Sequence, residues 1–328
     1  MALMASSASA SNRAISAVSL TKSCTLSVDA ILIAGTTASG KSQAALELAM
    51  RVGGAIVNAD SMQVYREARI LTARPSDEDT SKAPHFLYGH VPVREAYSAG
   101  RYQSDAARAF AEVRKLGRIP IFVGGTGLYF KALSEGLSDI PAVPAEVREK
   151  ARALLQELGN EAFHAALAER DRELAAQLKP SDRQRMLRAF EVFEASGKPL
   201  SYWQKSAGKP VLEGLKLANF VLEIPRAVLR ERIETRFHAM LAAGAMEEAL
   251  ALETLNPSLP AAKIIGRREL LALRDGTLTR DEAIARAVSA TRQYAKRQAT
   301  WFRNQFADWT RVSASEDRNF ITKLLSAG

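Results

Sequence analysis

The stretch Ile31–Ala49, "ILIAGTTASGKSQAALELA", joins an apolar run to a glycine-framed loop and then to a helical pattern. The run has the character of a buried parallel strand. The loop fits G-x-x-x-x-G-K-[ST], in which backbone N–H groups and a lysine hold phosphates at the start of a helix. Its members are Gly35, Thr36, Thr37, Ala38, Ser39, Gly40, Lys41 and Ser42. The sequence therefore predicts a phosphate-binding loop, with the Ser42 hydroxyl as a ligand for Mg²⁺.

Further strands and helices follow in alternation. Ala55–Val57 and Ile119–Gly125 resemble short buried strands, and a strand pattern returns at Leu215–Ile224. A helical pattern fills Gly100–Leu116. This alternation predicts an α/β fold, a P-loop-type parallel sheet flanked by helices. The residues after Trp309 show no such pattern and are expected to be loosely ordered.

One long segment breaks the alternation. From Pro144 to about Gly208 the sequence has helical patterns and no strand, which predicts an all-helical insertion domain over 141–209. The α/β core is then divided between 29–140 and 210–328. Residues 1–28 are rich in serine and alanine, and we interpret them as a disordered or targeting-like tail, or as the result of a start codon assigned too early.

Composition narrows the class of protein. The chain is 47% hydrophobic and 25% charged, as in ordinary globular proteins. Its formal net charge of +9 favours an anionic partner such as nucleic acid. Cys24 is the single cysteine, which excludes an intrachain disulfide framework and a cysteine-rich zinc module and predicts a cytoplasmic protein. No apolar run approaches the ~20 residues that span a bilayer, so no membrane partner is expected.

A carboxylate is expected beside the phosphate loop. Asp60 lies just beyond the strand Ala55–Val57, and in an open parallel sheet the carboxyl ends of the strands face the ligand. Asp60 is therefore a candidate general base or metal partner. The loop alone does not choose between ATPase, kinase and transferase. The strand Ile119–Gly125 ends in glycines rather than in a metal-binding Asp, which argues against ATP-driven work.

Several segments then occur in an order that is specific to one family. They are "GTTASGKS", "NADSMQVYR", "AYSAGRYQ", "VGGTGLYFKAL", "RQRMLRAFEVFEASGKPL", "RIETRFHAML" and "TRQYAKRQATWFR". With them the chain resembles the tRNA dimethylallyltransferases, the tRNA isopentenyltransferase family of bacterial type. The resemblance runs from about Ala30 to Phe306.

The resemblance implies transfer of a dimethylallyl group from dimethylallyl diphosphate to N6 of the adenine on the 3′ side of the anticodon, in tRNAs reading codons that begin with U. Diphosphate is then a leaving group, with Mg²⁺ as cofactor. Asp60 matches the family's proposed base, Arg236 its diphosphate-binding arginine, and Thr37 a threonine near the reacting carbon. A carboxylate suits this chemistry because an exocyclic adenine amine is a poor nucleophile that must lose a proton as the C–N bond forms. A monomer is expected.

The resemblance also implies contacts with the anticodon stem-loop of tRNA. The matching residues are Asp60, Ser61, Met62, Gln63, Thr126, Arg148, Gln184, Arg185, Met186, Leu187 and Arg188. Arg185 and Arg188 are three positions apart on a predicted helix and share one face, which suits contact with backbone phosphates.

Two segments depart from the family pattern. Glu67–Pro75, "EARILTARP", lacks the usual glycines and Asp, and has Arg74 in place of a lysine. Lys263–Arg268 keeps only the Ile-Gly core of a family segment associated with tRNA contact. Both departures leave the diphosphate site intact.

Three other functions share some of these features. A small-molecule kinase would use the same loop, with the helical insertion as a lid. An adenylate isopentenyltransferase would perform the same chemistry on free AMP, ADP or ATP, without needing a long basic insertion. An RNA-binding protein without activity would not need Asp60, Lys41 and Arg236, all of which are present.

Overall fold

A six-stranded parallel sheet organises the fold of this computed structural model, which describes residues 27–206 and 208–313. The strand order is β3-β2-β4-β1-β5-β6. The strands are β1 Ala30–Gly35, β2 Ala55–Asn58, β3 His85–Phe86, β4 Pro120–Gly124, β5 Leu217–Glu223 and β6 Thr310–Ser313. The predicted P-loop-type parallel sheet is thus confirmed. The predicted tail lies outside the described residues except for its last two positions.

Helices connect these strands. They are α1 Lys41–Val52, α2 Asp77–Lys82, α3 Ala99–Lys115, α4 Gly127–Ser134, α5 Ala145–Arg170, α6 Arg172–Ala175, α7 Arg183–Ser196, α8 Leu200–Gln204, α9 Arg226–Ala242, α10 Ala245–Ala251, α11 Arg267–Arg274 and α12 Arg280–Gln305. Local signals set their ends: the side chain of Ser98 caps α3 by accepting from the Arg101 N–H, and Gly53, at φ 65°, ends α1. None of the helices in the described part of the chain is long and apolar enough to cross a bilayer.

The central strand β1 is buried on both faces. Leu32 and Ala34 belong to a core cluster shared with α3, α4 and α12. Ile31 and Ile33 belong to a second cluster shared with α1. This alternation explains why β1 is apolar at every position, as expected for a parallel strand covered by helices on both sides.

Strand register brings the predicted site together at one edge of the sheet. Gly35 pairs with Leu222 of β5, and Ala34 pairs with Gly124 of β4. Asn58, at the end of β2, pairs with Val123. The phosphate loop, the residues after β2 and the glycine turn after β4 therefore all lie at the carboxyl edge of the sheet, where open α/β folds bind ligands.

The segment between β4 and β5 is helical, and α5–α8 pack around their own hydrophobic cluster. The rings of Phe163 and Phe190 meet at 4.9 Å in this cluster. Gly159 has a left-handed φ of 73° and is not helical, so α5 consists of two helical segments that meet at a kink.

The sequence patterns do not predict two of the strands, β3 and β6. β3 has only two residues, too few for any periodicity. β6 contains Thr310, Arg311 and Ser313, and it pairs with β5 from Phe220 to Glu223. The expectation of loose order after Trp309 is therefore wrong for 310–313, because the exposed edge of β5 supplies backbone partners that a polar sequence does not reveal.

Candidate active site

The phosphate loop contains buried polar groups that have no hydrogen-bond partner among the described residues. Gly40 takes a φ of 92° directly before α1, a conformation that glycine adopts without strain. The side chains of Thr36 and Ser39 are buried, and within the described part of the chain neither hydroxyl has a hydrogen-bond partner. Buried hydroxyls normally have one. Together with the free N–H groups at the start of α1, they fit an oxyanion ligand.

Two half-buried cations face this loop. Arg236 on α9 donates from Nη2 to the Thr37 hydroxyl at 2.7 Å, and Lys41 donates from Nζ to the Thr36 carbonyl at 3.3 Å. Burial lowers the pKa of Lys41 to about 8; Asp60 opposes this shift and Arg236 adds to it. Burial also lowers the pKa of Arg236, again opposed by Asp60. A bound anion would compensate this desolvated positive charge.

Asp60 is held in place by backbone and amide contacts. The Asn58 side chain donates to the Asp60 carbonyl at 2.9 Å and accepts from the Asp60 N–H at 2.9 Å. Asp60 Oδ1 accepts from the Met62 N–H at 2.9 Å. Among the described residues no donor is directed at Oδ2, which lies close to the turn at Gly125. Oδ2 is therefore the oxygen left to receive a proton.

Gln298 of α12 joins the phosphate loop to the region of Asp60. Its Oε1 accepts from the Thr37 N–H at 2.8 Å, and its Nε2 donates to the Gly125 carbonyl at 2.8 Å. The side chain is buried. A methyl group placed on Gly125 would lie 2.1 Å from Gln298 Nε2 and 3.3 Å from Asp60 Oδ2, so loop, amide, glycine turn and carboxylate are closely packed.

Sequence reasoning did not single out Gln298. One signal was available: Ala295, Gln298 and Phe302 are buried at helical spacing on α12, so a polar residue interrupts an apolar stripe. A buried carboxamide must satisfy its own hydrogen bonds, and such a position indicates a structural or functional network.

The residues predicted to contact tRNA fall into two groups. The first lies beside Asp60: the Thr126 hydroxyl accepts from the Ser61 N–H at 2.9 Å and donates to the Ser61 hydroxyl at 3.1 Å. Gln63 follows in the same turn. These residues are thus gathered at the carboxyl edge of the sheet, around the candidate base.

The second group lies on α5 and α7. Arg148 and Arg188 both lie near Glu191, whose pKa burial raises while the two arginines oppose the rise. Arg185 lies 3.7 Å from Asp182. Gln184 and Leu187 are also on α7. No hydrogen bond or ion pair between described residues joins this group to the phosphate loop.

Met186 differs from its neighbours on α7. Its side chain is fully buried in the cluster formed by α5–α8. In this structure it packs the helical segment, and it offers no side-chain surface to a partner.

The two segments that depart from the family pattern are held by internal contacts. Arg74 donates to the carbonyls of Tyr65 and Arg66 at 2.9 and 3.1 Å. Arg267 is buried and donates to the Leu252 and Glu253 carbonyls at 2.8 and 2.9 Å. Both arginines therefore tie loops together rather than standing free in solvent.

A basic groove of about 840 Å³ lies between α9 and α12 and reaches Thr36. The cationic residues along it are Arg226, Arg230, Arg292, Lys296, Arg303 and Arg311, against one acidic residue, Glu223. The positive potential of such a groove favours the approach of anions to the phosphate loop.

Family models and relatives of known name match most of this chain. A family model described as IPP transferase matches residues 63–305, and one described as isopentenyl transferase matches residues 28–89. The tRNA dimethylallyltransferase of Azorhizobium caulinodans is 52% identical over 284 residues, which cover 86% of this chain and 91% of the relative. That of Rhizobium meliloti is 48% identical over 288 residues, 87% of this chain and 95% of the relative.

Solved structures of the same family are also similar to this chain. The full-length tRNA isopentenylpyrophosphate transferase from Bacillus halodurans has a TM-score of 0.63 and 32% identity, covering 91% of this chain and 94% of that one. A eukaryotic dimethylallyltransferase acting on tRNA has a TM-score of 0.73 and 28% identity, covering 88% and 74% respectively. The match of the family model to most of the chain, with relatives this similar over most of their length, shows that the chain belongs to the IPP transferase family.

Proposed function

We propose that this chain is a tRNA dimethylallyltransferase. It transfers the dimethylallyl group of dimethylallyl diphosphate to N6 of the adenine on the 3′ side of the anticodon, in tRNAs reading codons that begin with U, and releases diphosphate. The observation that carries the proposal is the Gln298 bridge, which links the phosphate loop to the glycine turn beside the Asp60 carboxylate. The names of the relatives, tRNA dimethylallyltransferase, support the same activity.

The reaction breaks the allylic C–O bond and forms a C–N bond. The electron pair of the C–O bond leaves with the diphosphate, whose developing charge is stabilised by Lys41, Arg236 and the loop amides. The lone pair of the adenine amine attacks the allylic carbon. The amine proton then passes to Asp60 Oδ2, the carboxylate oxygen that accepts no hydrogen bond from a described residue.

Thr37 lies between these two halves of the reaction. Its hydroxyl accepts from Arg236 and its N–H is directed to Gln298. Because Arg236 and Gln298 both fix Thr37, this residue is suited to the position next to the reacting carbon. Small displacements at that position lower the rate of transfer.

Mg²⁺ fits this site only with the help of a substrate. The described residues contain no cluster of three or more His, Cys, Asp or Glu side chains that would hold a metal. Ser42, at the start of α1, supplies one hydroxyl, and Mg²⁺ commonly binds one or two protein oxygens together with substrate phosphates. When bound, the ion would neutralise charge on the departing diphosphate.

The tRNA is held, in this proposal, by Asp60–Gln63 and Thr126 at the sheet edge and by Arg148, Gln184, Arg185, Leu187 and Arg188 on α5 and α7. The net charge of +9 supports an RNA partner. The target adenine must leave its stack to reach Asp60. We further propose that the protein acts as a monomer in the cytoplasm, with α5–α8 as a separate RNA-contacting domain.

The test is a transfer assay with labelled dimethylallyl diphosphate, Mg²⁺, and unmodified tRNA or AMP as acceptor. Label on tRNA alone, at the adenine beside the anticodon, supports the proposal. Label on AMP alone would instead assign the protein to the adenylate isopentenyltransferases. Absence of transfer to either, combined with turnover of ATP, would indicate a small-molecule kinase.

A further inference from the structure

One carboxylate binds three consecutive amides of the loop Glu67–Pro75. Glu248 of α10 accepts from the backbone N–H groups of Arg69, Ile70 and Leu71 at 2.8, 2.7 and 2.8 Å. Three charge-assisted hydrogen bonds from consecutive amides to one side chain fix the conformation of this turn. Two residues after Leu71, Ala73 takes a left-handed φ of 52°, which a residue other than glycine keeps only when its surroundings hold it.

The fastened loop determines how the carboxamide of Gln63 is oriented. Gln63 Nε2 lies 2.9 Å from the Thr72 carbonyl and 2.9 Å from the Ala73 carbonyl. An atom that meets two carbonyl oxygens at hydrogen-bond distance has to be the NH₂ nitrogen, because the amide oxygen would be repelled. Both N–H groups of Gln63 are thus used inside the protein. Its Oε1 accepts no hydrogen bond from the described residues and is left as a pure acceptor.

We infer that Glu248 is a positioning residue that holds Gln63 as a hydrogen-bond acceptor, and that Gln63 reads an N–H donor on the RNA base preceding the target adenine. The inference rests on the proposed function. Gln63 belongs to the same turn as Asp60, whose Oδ1 is bound by the Met62 N–H, so a base next to the target would meet it. In tRNAs reading codons that begin with U, that base is adenine, and its exocyclic amine is a donor.

The acceptor-only orientation gives discrimination as well as affinity. A free glutamine can rotate its amide and satisfy either a donor or an acceptor. Gln63 cannot do so while its NH₂ is held by Thr72 and Ala73. Uracil presents a carbonyl oxygen where adenine presents an amine, so it would face Gln63 Oε1 with a second acceptor and leave both unpaired. Removing Glu248 would release the loop and restore rotation.

The experiment compares Glu248→Ala with Glu247→Ala. The two carboxylates are neighbours on α10, but Glu247 is exposed and makes no hydrogen bond or ion pair with a described residue. Dimethylallyl transfer is measured on anticodon stem-loops that carry adenine, unsubstituted purine or uracil before the target. We expect the wild type and Glu247→Ala to favour adenine over purine by about tenfold in kcat/KM. Glu248→Ala should bring this ratio close to one, with the KM for dimethylallyl diphosphate unchanged.

Gln63→Leu gives an independent reading that leaves the Glu248 contacts in place. It should also bring the adenine-to-purine ratio close to one, whereas a general loss of folding would lower the rates on all stem-loops equally. An unchanged ratio in Gln63→Leu, or a wild-type ratio of one, would overturn the inference. A ratio that Glu248→Ala leaves intact while Gln63→Leu removes it would overturn the role of Glu248. Failure of the wild type to modify any stem-loop would instead overturn the proposed function.

Discussion

The backbone N–H of Thr37 donates to the side-chain oxygen of Gln298 at 2.8 Å, although 261 positions separate the two residues in sequence. The other end of the same carboxamide is bonded to the Gly125 carbonyl. One buried side chain therefore sets the spacing between the loop that would hold diphosphate and the turn beside Asp60. In a displacement reaction, this spacing decides whether nucleophile and leaving group lie in line.

The bridge predicts a rate effect for Gln298→Leu. The variant keeps the volume of the side chain but loses both hydrogen bonds, so Thr37 is no longer held toward Asp60. We expect kcat to fall by about 10- to 100-fold, with tRNA affinity changed by less than about twofold. Gln305→Leu, at an exposed position of the same helix, serves as the control in steady-state kinetics. Equal kcat values for the two variants would exclude a positioning role for Gln298.

Asp60→Asn tests the proton acceptor. The amide has the shape of the carboxylate but cannot take the proton from the adenine amine. We expect transfer to fall by about 10²- to 10⁴-fold, while tRNA binding measured by filter retention stays close to wild type. Asp308→Asn, an exposed aspartate that makes no bond with a described residue, is the matched control. A wild-type rate in Asp60→Asn would remove Asp60 from the mechanism.

Lys41 predicts how diphosphate binding depends on pH. Burial lowers its pKa to about 8, so in the free enzyme the lysine is charged below this pH and loses its charge above it. Affinity for dimethylallyl diphosphate, measured by calorimetry without tRNA, should be constant near pH 7 and fall roughly tenfold per pH unit above about pH 8. Lys41→Met should bind weakly and show no pH dependence in this window. A flat profile in the wild type would contradict the assignment of Lys41 to the diphosphate.

Gly125→Ala tests the close packing around the glycine turn. The added methyl group would lie 2.1 Å from Gln298 Nε2, so the bridge must open or the turn must move. We expect a loss of transfer activity together with a loss of about 1–3 kcal/mol in the free energy of unfolding. Gly100→Ala is the contrasting variant: it lies in α3 with no atom closer than 4.0 Å to the new carbon, and should stabilise the protein by about 0.4–1 kcal/mol. Similar unfolding midpoints for both variants would contradict the packing described.

Arg185→Ala combined with Arg188→Ala tests the RNA surface of α7. If each arginine contacts one phosphate, the slope of log affinity against log salt should become shallower by about 0.7–0.9 per contact. Arg172→Ala with Lys179→Ala removes the same charge from exposed positions of the neighbouring segment and should leave the slope unchanged. An unchanged slope in the Arg185 and Arg188 variant would indicate that these arginines have a structural role, with Arg188 interacting electrostatically with Glu191.

Sequence patterns predict the parts of this fold that have strong local signals. The strand β1, the loop from Gly35 to Ser42 and the helix α1 follow from apolar runs, glycine positions and helical periodicity. Asp60 could be placed near the loop because parallel strands end at one edge of the sheet. The predicted ends of α3, β4 and β5 also lie within a few residues of those observed.

Other features depend on long-range contacts. The role of Gln298 depends on which residues α12 meets, and no spacing rule relates position 298 to position 37. Strand β6 exists because the edge of β5 is open to it. Similarly, the three amides bound by Glu248 lie about 180 positions away in sequence, so neither the loop nor the helix reveals the contact alone. The family resemblance also placed Met186 among the residues that contact tRNA, whereas packing of α5 against α7 buries its side chain.

The most direct test of the central claim is the fate of the bridging oxygen of dimethylallyl diphosphate. The substrate would carry a heavy-oxygen label between the allylic carbon and the phosphorus, and products would be analysed by mass spectrometry after incubation with unmodified tRNA. Alkyl transfer with diphosphate as leaving group predicts that all label appears in diphosphate, with one diphosphate released for each dimethylallylated adenine. Label retained on a prenyl alcohol, or phosphate transferred to the tRNA, would contradict the account.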